Sequence, residues 1–120
     1  MSSSLCEAVR SLLEDVCSIL ADVESDGQVL SGRIIQLQPA FQEIVASLAG
    51  SAFDPAVEQR LRPLQTEGHR RLKLAGIAAM RLKAAKQAKT LAEARSQVSE
   101  HLLQLQKFLE AMAEMLGDLD

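Results

Sequence analysis

Apolar residues recur at alternating intervals of four and three along most of the chain, and this spacing restricts the fold more than any other feature. Residues three and four apart lie on one face of an α-helix, so each repeat predicts a helix with one apolar side. Leu, Ala, Glu, Gln, Arg and Lys dominate, whereas Trp and Tyr are absent, which favours helices over strands. The most regular repeat runs through Val98, Leu102, Leu105, Leu109, Met112, Leu116 and Leu119. The sequence therefore predicts an all-α fold.

Capping and turn signals divide the first half of the chain. An S-x-x-E capping box begins at Ser4 and predicts a helix start there. The Asp26-Gly27 pair favours a turn, which predicts two helical pieces, 4–25 and 28–49. One long helix with a stutter near Gly27 is the alternative. Pro39 lies inside the second apolar repeat and predicts a kink near it, or a helix that starts close to it.

The second half has one clear boundary and one open one. Gly50 is a helix stop signal, and Asp54-Pro55 is an N-cap followed by proline at the first helical position. A capping box at Thr90 could start a fourth helix, although one helix could also run straight through from 55 to 117. We therefore predict an antiparallel bundle of three to four long amphipathic helices that forms a single domain, residues 1–120.

Positive charge is concentrated between residues 60 and 89, which carry nine Lys or Arg and one acid, Glu67. The flanking regions are both acidic, so an antiparallel arrangement could place acidic helices beside the basic one and neutralise it. The alternative is that this region binds an anionic partner. Its bases point several ways around the helix and no aromatic residue is interleaved with them, which argues against nucleic-acid binding.

Cys6 and Cys17 fall in the first predicted helix, eleven residues apart. At 1.5 Å per residue they are separated by about 16 Å, so they cannot form a disulfide with each other. We expect both to be small buried hydrophobes in a reducing cytoplasm. No signal-peptide pattern and no apolar run long enough to span a bilayer is apparent, which predicts a cytoplasmic protein without membrane contact.

Motifs for chemistry are scarce. The two histidines, His69 and His101, are 32 residues apart, and the sequence has no Gly-rich phosphate loop, nucleophile elbow or metal-ligand spacing. We therefore expect no enzymatic activity, no catalytic residue, no cofactor and no metal ligand. A His phosphotransfer domain remains a remote alternative, although Lys73 follows His69 at the fourth position, not at the third as in the H-x-x-K-G pattern of such domains.

The second half of the chain contains more large apolar residues than one stripe per helix requires. Two neighbours for each helix would cover the surplus inside the bundle. Alternatively, the surplus forms a partner or dimer interface, in which Met and Phe are adaptable anchors. The candidate partner-binding residues are Leu74, Ile77, Met80, Leu103, Phe108 and Met115.

The order of these segments resembles the small helical export chaperones of the flagellar type III system, those that serve the hook-associated and filament-cap proteins. The acidic first helix EAVRSLLEDVCSILADVES, the long helix EQRLRPLQTEGHRRLKLAGIAAMRLKAA and the apolar helix HLLQLQKFLEAMAEML carry the resemblance, which covers most of the chain. It implies a cytoplasmic, non-enzymatic protein that shields an aggregation-prone helix of a secreted subunit.

The leading hypothesis is accordingly a helical binding module, an export chaperone or adaptor that holds an amphipathic helix of another protein by helix-in-groove packing. A homo-oligomeric structural or regulatory bundle, for example a homodimer, is the alternative.

Overall fold

The computed structural model describes residues 2–118, and these form four helices and no strand. The helices are α1 (Ser2–Ala21), α2 (Gly27–Ala49), α3 (Pro55–Ala84) and α4 (Ala88–Asp118). The all-α fold predicted from the apolar repeats is confirmed.

The helices pack as an antiparallel bundle that measures 50 × 20 × 18 Å. Helices α1 and α3 each contact α2 and α4, whereas α1 and α3 are diagonal to each other. Gly27 at the start of α2 lies against Leu82 near the end of α3. Cys6 near the start of α1 donates its thiol to the carbonyl oxygen of Ala113 near the end of α4, at 3.5 Å. The predicted antiparallel bundle is therefore confirmed, with four helices.

The core is built from the apolar repeats. Each repeat puts its side chains on the inner face of its helix, and Phe41, Leu105 and Leu109 are completely buried. Leu13 and Leu20 of α1 are partly buried against this core and widen its stripe. Leu119 lies outside the described residues. The four-three spacing thus identified the buried face of every helix.

A turn separates α1 from α2, so the stutter alternative is wrong. Asp26 is the N-cap of α2, and its carboxylate accepts a hydrogen bond from the backbone N–H of Gln28 at 2.8 Å. From α4, Nη1 of Arg95 donates to the carbonyl oxygens of Val23 and Ser25, both at 2.7 Å. These bonds satisfy carbonyl groups that no longer have a partner within a helix.

Three boundaries differ from the sequence prediction. Helix α1 already includes Ser2, so the capping box at Ser4 does not start it; helix ends vary by one or two residues around such signals. Helix α2 continues through Pro39, which removes one donor without ending the helix. Helix α3 stops at Ala84 and Ala85 is extended, so the continuous helix is wrong. The fourth helix exists, and it starts at Ala88, two residues before the capping box at Thr90. Good helix formers surround this junction, so local sequence does not determine its position. We attribute the position to the packing of α4 against α3.

Small residues let α3 approach α2 closely. A Cβ atom at Gly76 would lie 3.1 Å from Nε2 of Gln38, closer than ordinary van der Waals contact. The approach leaves a groove between the outer edges of the two helices.

Candidate partner-binding surface

The six candidate partner-binding residues do not form one patch. Ile77, Met80 and Leu103 are exposed, with 49%, 65% and 48% of their surface accessible. The other three candidates are half-buried, namely Leu74, Phe108 and Met115.

The half-buried residues follow the seam between α3 and α4. Nη1 of Arg71 lies 3.1 Å from Nδ1 of His101, which places these two residues across the seam from each other. Leu74 is one turn after Arg71, and Phe108 and Met115 follow His101 at intervals of seven, so all three lie along the same edge. Met115 also packs against the core. The sequence raised the alternative that each helix has two neighbours, which cover the surplus apolar residues. Contact between α3 and α4 accounts in this way for much of the burial of these three residues.

Leu103 projects from the outer side of α4. It lies one turn from Glu100 and from Lys107, which are both exposed. Leu103 is therefore remote from Phe108 and Met115, which lie on the α3 side of the helix. It is an isolated exposed leucine, a common feature of protein surfaces.

Ile77 and Met80 lie together on the outer side of α3. They are three residues apart and therefore adjacent on the helix surface. Lys73 and Arg81, four residues before and after Ile77, are basic and exposed. We call this strip the α3 face, and it consists of Arg70, Lys73, Ile77, Met80 and Arg81. Within the described chain, its apolar members Ile77 and Met80 are exposed, and Arg81 lies at the edge nearest α4.

Within residues 2–118, no ion pair joins a base of α3 to an acid of another helix. In this part of the chain, the ion pairs of α3 are Arg62 with Glu58 at 3.0 Å and Arg70 with Glu67 at 3.4 Å, both within α3. The acidic helix α1 lies diagonally opposite and does not contact α3. The interpretation that acidic helices pack beside the basic one is therefore wrong for α1. It is correct for α4, which carries five acids against three bases and packs on α3. Arg81 instead donates to the neutral Oε1 of Gln97 in α4, at 3.0 Å.

A groove of about 540 Å³ between α2 and α3 adjoins the α3 face. Lys73 belongs to both surfaces. Ile35, which is 53% exposed, lies one turn before the groove residue Pro39 and so stands at the rim. The groove is lined by Gln38, Pro39, Gln42, His69, Leu72 and Lys73. Ile35 is not among the residues predicted from the sequence, because it lies beside the apolar repeat. The feature that could have identified it is the presence of a second large apolar residue directly after the core residue Ile34.

His69 and the cysteines occupy different environments. His69 is exposed and lines the α2/α3 groove together with Lys73. Cys6 is buried as predicted, but Cys17 is exposed, so the expectation that both are buried is wrong. The reason is the helical period, since Cys17 directly follows the core residue Val16 and turns away from the core. Within residues 2–118, no three His, Cys, Asp or Glu side chains are grouped as metal ligands would be.

The Arg71–His101 pair is the main polar contact inside the α3/α4 seam. Because the Arg71 guanidinium can only donate, Nδ1 of His101 accepts and the imidazole is neutral. Burial lowers the pKa of His101, and the charge of Arg71 lowers it further; Glu100 opposes this shift and Arg70 adds to it. Nε of Arg71 is buried without a hydrogen-bond partner in the described chain.

None of the helices formed by residues 2–118 combines the length and the apolarity needed to cross a membrane. Comparison of the chain with protein-family models, with curated proteins and with solved structures found no significant match in any of the three.

Proposed function

We propose that this protein is a non-enzymatic helical binding module that holds an amphipathic helix of a partner protein. The observation that carries the proposal is the exposure of Ile77 and Met80 side by side on α3. Large exposed apolar residues that adjoin one another on a surface are typical of sites where a partner excludes water, whereas isolated ones are a normal feature of protein surfaces.

The shape of the surface supports a helical partner. A helix that docks on another protein uses anchors at intervals of three, four and seven residues, and it lies in a groove between helices. The α2/α3 groove supplies such a trough, with Ile35 at one rim and the α3 face at the other. Met80 is unbranched and flexible, so it can adapt to the side chains of the partner.

The resemblance to the flagellar export chaperones gives this function its most specific form. In that form the protein would be a cytoplasmic chaperone or adaptor that shields a helix of a secreted subunit before export. A homo-oligomeric bundle would use the same apolar pair against a second copy, and phosphotransfer would instead use His69.

Co-purification from cells that express the chain naturally, followed by binding measurements with the purified partner, tests the proposal. The key variant is Ile77→Gln with Met80→Gln. The matched control is Val29→Gln with Leu103→Gln, because these two residues are equally exposed but lie elsewhere. We expect the first variant to weaken partner binding by about tenfold or more, since a buried large apolar side chain contributes about 1.5–3 kcal/mol. Both variants should melt at the wild-type temperature.

Equal binding by the two variants would contradict the proposed surface. If the wild type forms a dimer in sedimentation and only the Ile77/Met80 variant is monomeric, the homo-oligomeric alternative is correct. Incorporation of phosphate by the wild type that His69→Gln abolishes and the Ile77/Met80 variant retains would point to phosphotransfer.

A further inference from the structure

We infer that the α3 face and the adjoining α2/α3 groove select a partner helix that is acidic. This inference rests on the proposed function and specifies the chemistry of its ligand. The occupant is an amphipathic helix whose apolar stripe covers Ile77 and Met80, and whose Asp and Glu side chains meet the bases of the rim.

Along α3 itself, the charge that flanks the apolar pair has one sign. No Asp or Glu occurs between Gly68 and Ala92 in the sequence. Lys73 and Arg81 flank Ile77 at intervals of four, and Lys83 follows Met80 three residues later. No ion pair is formed by these three bases within the described part of the chain. An acidic partner would therefore gain charge pairing without breaking an existing one.

The grooves on the two sides of α2 have opposite character. The α2/α3 groove contains Lys73 and His69 and no acid. The smaller groove between α1 and α2, about 270 Å³, contains Asp15 and Glu43. Glu43 is the only acid of α2, and it lies on the side of this helix that faces away from α3. Charge complementarity thus directs an acidic helix to the α2/α3 groove and away from the α1/α2 groove.

A helix fits this surface better than a nucleic acid or a membrane does. Single-stranded nucleic acids stack their bases on aromatic side chains, and the chain's three Phe, at positions 41, 53 and 108, all lie outside α3. A helix that lies on a membrane needs a broad apolar side. The broad apolar side of α3 is buried in the core, which leaves only Ile77 and Met80 outside.

Two synthetic amphipathic peptides with the same leucine stripe test the inference. One has Glu at every charged position and the other has Lys. We expect the wild type to bind the acidic peptide at least about tenfold more tightly, and this preference to shrink as NaCl is raised from about 0.05 M to about 0.5 M, because salt screens rim charges. Lys73→Glu with Arg81→Glu should reverse the preference. The control is Arg60→Glu with Lys107→Glu, which changes the net charge by the same amount at exposed sites outside the α3 face. This variant should retain the preference for the acidic peptide.

Other outcomes overturn the inference in distinguishable ways. If both peptides bind equally and Ile77→Gln with Met80→Gln weakens both, helix binding stands but acidic selectivity is wrong. If neither peptide binds and the apolar variant also retains the natural partner, the proposed function fails too. Wild-type binding to phosphatidylserine vesicles, with neither peptide bound and no binding to phosphatidylcholine vesicles, would make the surface a membrane site instead.

Discussion

The ring of Phe41 in α2 occupies the space that a side chain at Gly68 of α3 would need. A Cβ atom at position 68 would lie 3.1 Å from Cζ of Phe41, and 3.7 Å from Cδ1 of Leu105 in α4. Phe41 is completely buried, so its ring cannot move aside into solvent. The absence of a side chain at Gly68 therefore allows three helices to meet in the centre of the bundle.

Replacing Gly68 by Ala should destabilise the protein although it favours the helix. Replacing Gly by Ala within a helix raises the free energy of unfolding by about 0.5–1 kcal/mol, whereas overpacking a core lowers it by about 1–3 kcal/mol. We expect a loss of about 1 kcal/mol in the free energy of unfolding, measured in urea. Gly32→Ala is the matched control, because nothing lies within 4 Å of its Cβ position in α2. Gly32→Ala should stabilise the protein. If Gly68→Ala stabilised it equally, the core around Phe41 would be able to repack to accept the extra methyl group.

Two leucines of α4 separate core packing from surface exposure. Leu109 is completely buried and Leu103 is 48% exposed in the same helix. Leu109→Ala should lower the free energy of unfolding by about 2–5 kcal/mol, because it removes transfer energy and leaves a cavity. Leu103→Ala should change it by less than about 0.5 kcal/mol. Chemical denaturation of both variants measures the difference, and similar values would mean that the inner face of α4 is misassigned.

Much of the fold could be predicted because burial in a bundle follows a short-range pattern. The spacing of Leu30, Ile34 and Phe41 alone identifies the inner face of α2, and Asp54-Pro55 is a local start signal for α3. The junction after Ala84 has no such signal. The position of this junction depends on how α4 packs against α3, and a short stretch of sequence carries no information about that packing.

The candidate site was predictable only in part. The sequence indicates that Leu74, Ile77 and Met80 lie off the main apolar stripe of α3, but not which neighbours cover each of them. That depends on the order of helices around the bundle. Because α4 lies on the Leu74 side, Leu74 is half-buried, and Ile77 and Met80 remain exposed.

The Arg95 guanidinium should stabilise the turn between α1 and α2. Its two hydrogen bonds to the carbonyl oxygens of Val23 and Ser25 link residues 70 or more positions apart. Arg95→Ala should cost about 2 kcal/mol, since a hydrogen bond from a charged donor contributes about 1.5–3 kcal/mol. The control is Arg62→Ala, which removes an exposed ion pair with Glu58 and should cost at most about 0.5 kcal/mol. Equal urea midpoints for the two variants would contradict this role of Arg95.

The stability of the bundle should depend on pH through His101. Burial and the charge of Arg71 lower the pKa of His101 in the folded protein, whereas in the unfolded chain the pKa is near its usual value of about 6.5. The unfolded chain therefore binds a proton more readily, and protonation favours unfolding.

The contribution of His101 to stability should accordingly be complete above about pH 6.5, where the imidazole is neutral in both states. It should be lost as the pH falls from there through the folded pKa, because a protonated ring can no longer accept from Arg71. Urea unfolding of the wild type and of His101→Gln, measured from about pH 8 down to about pH 5.5, checks this. The variant should lose less stability than the wild type over this range. His69→Gln is the control, since it makes the same substitution at an exposed position outside the α3/α4 seam. Identical profiles for the wild type and His101→Gln would show that the seam tolerates a charged imidazole beside Arg71.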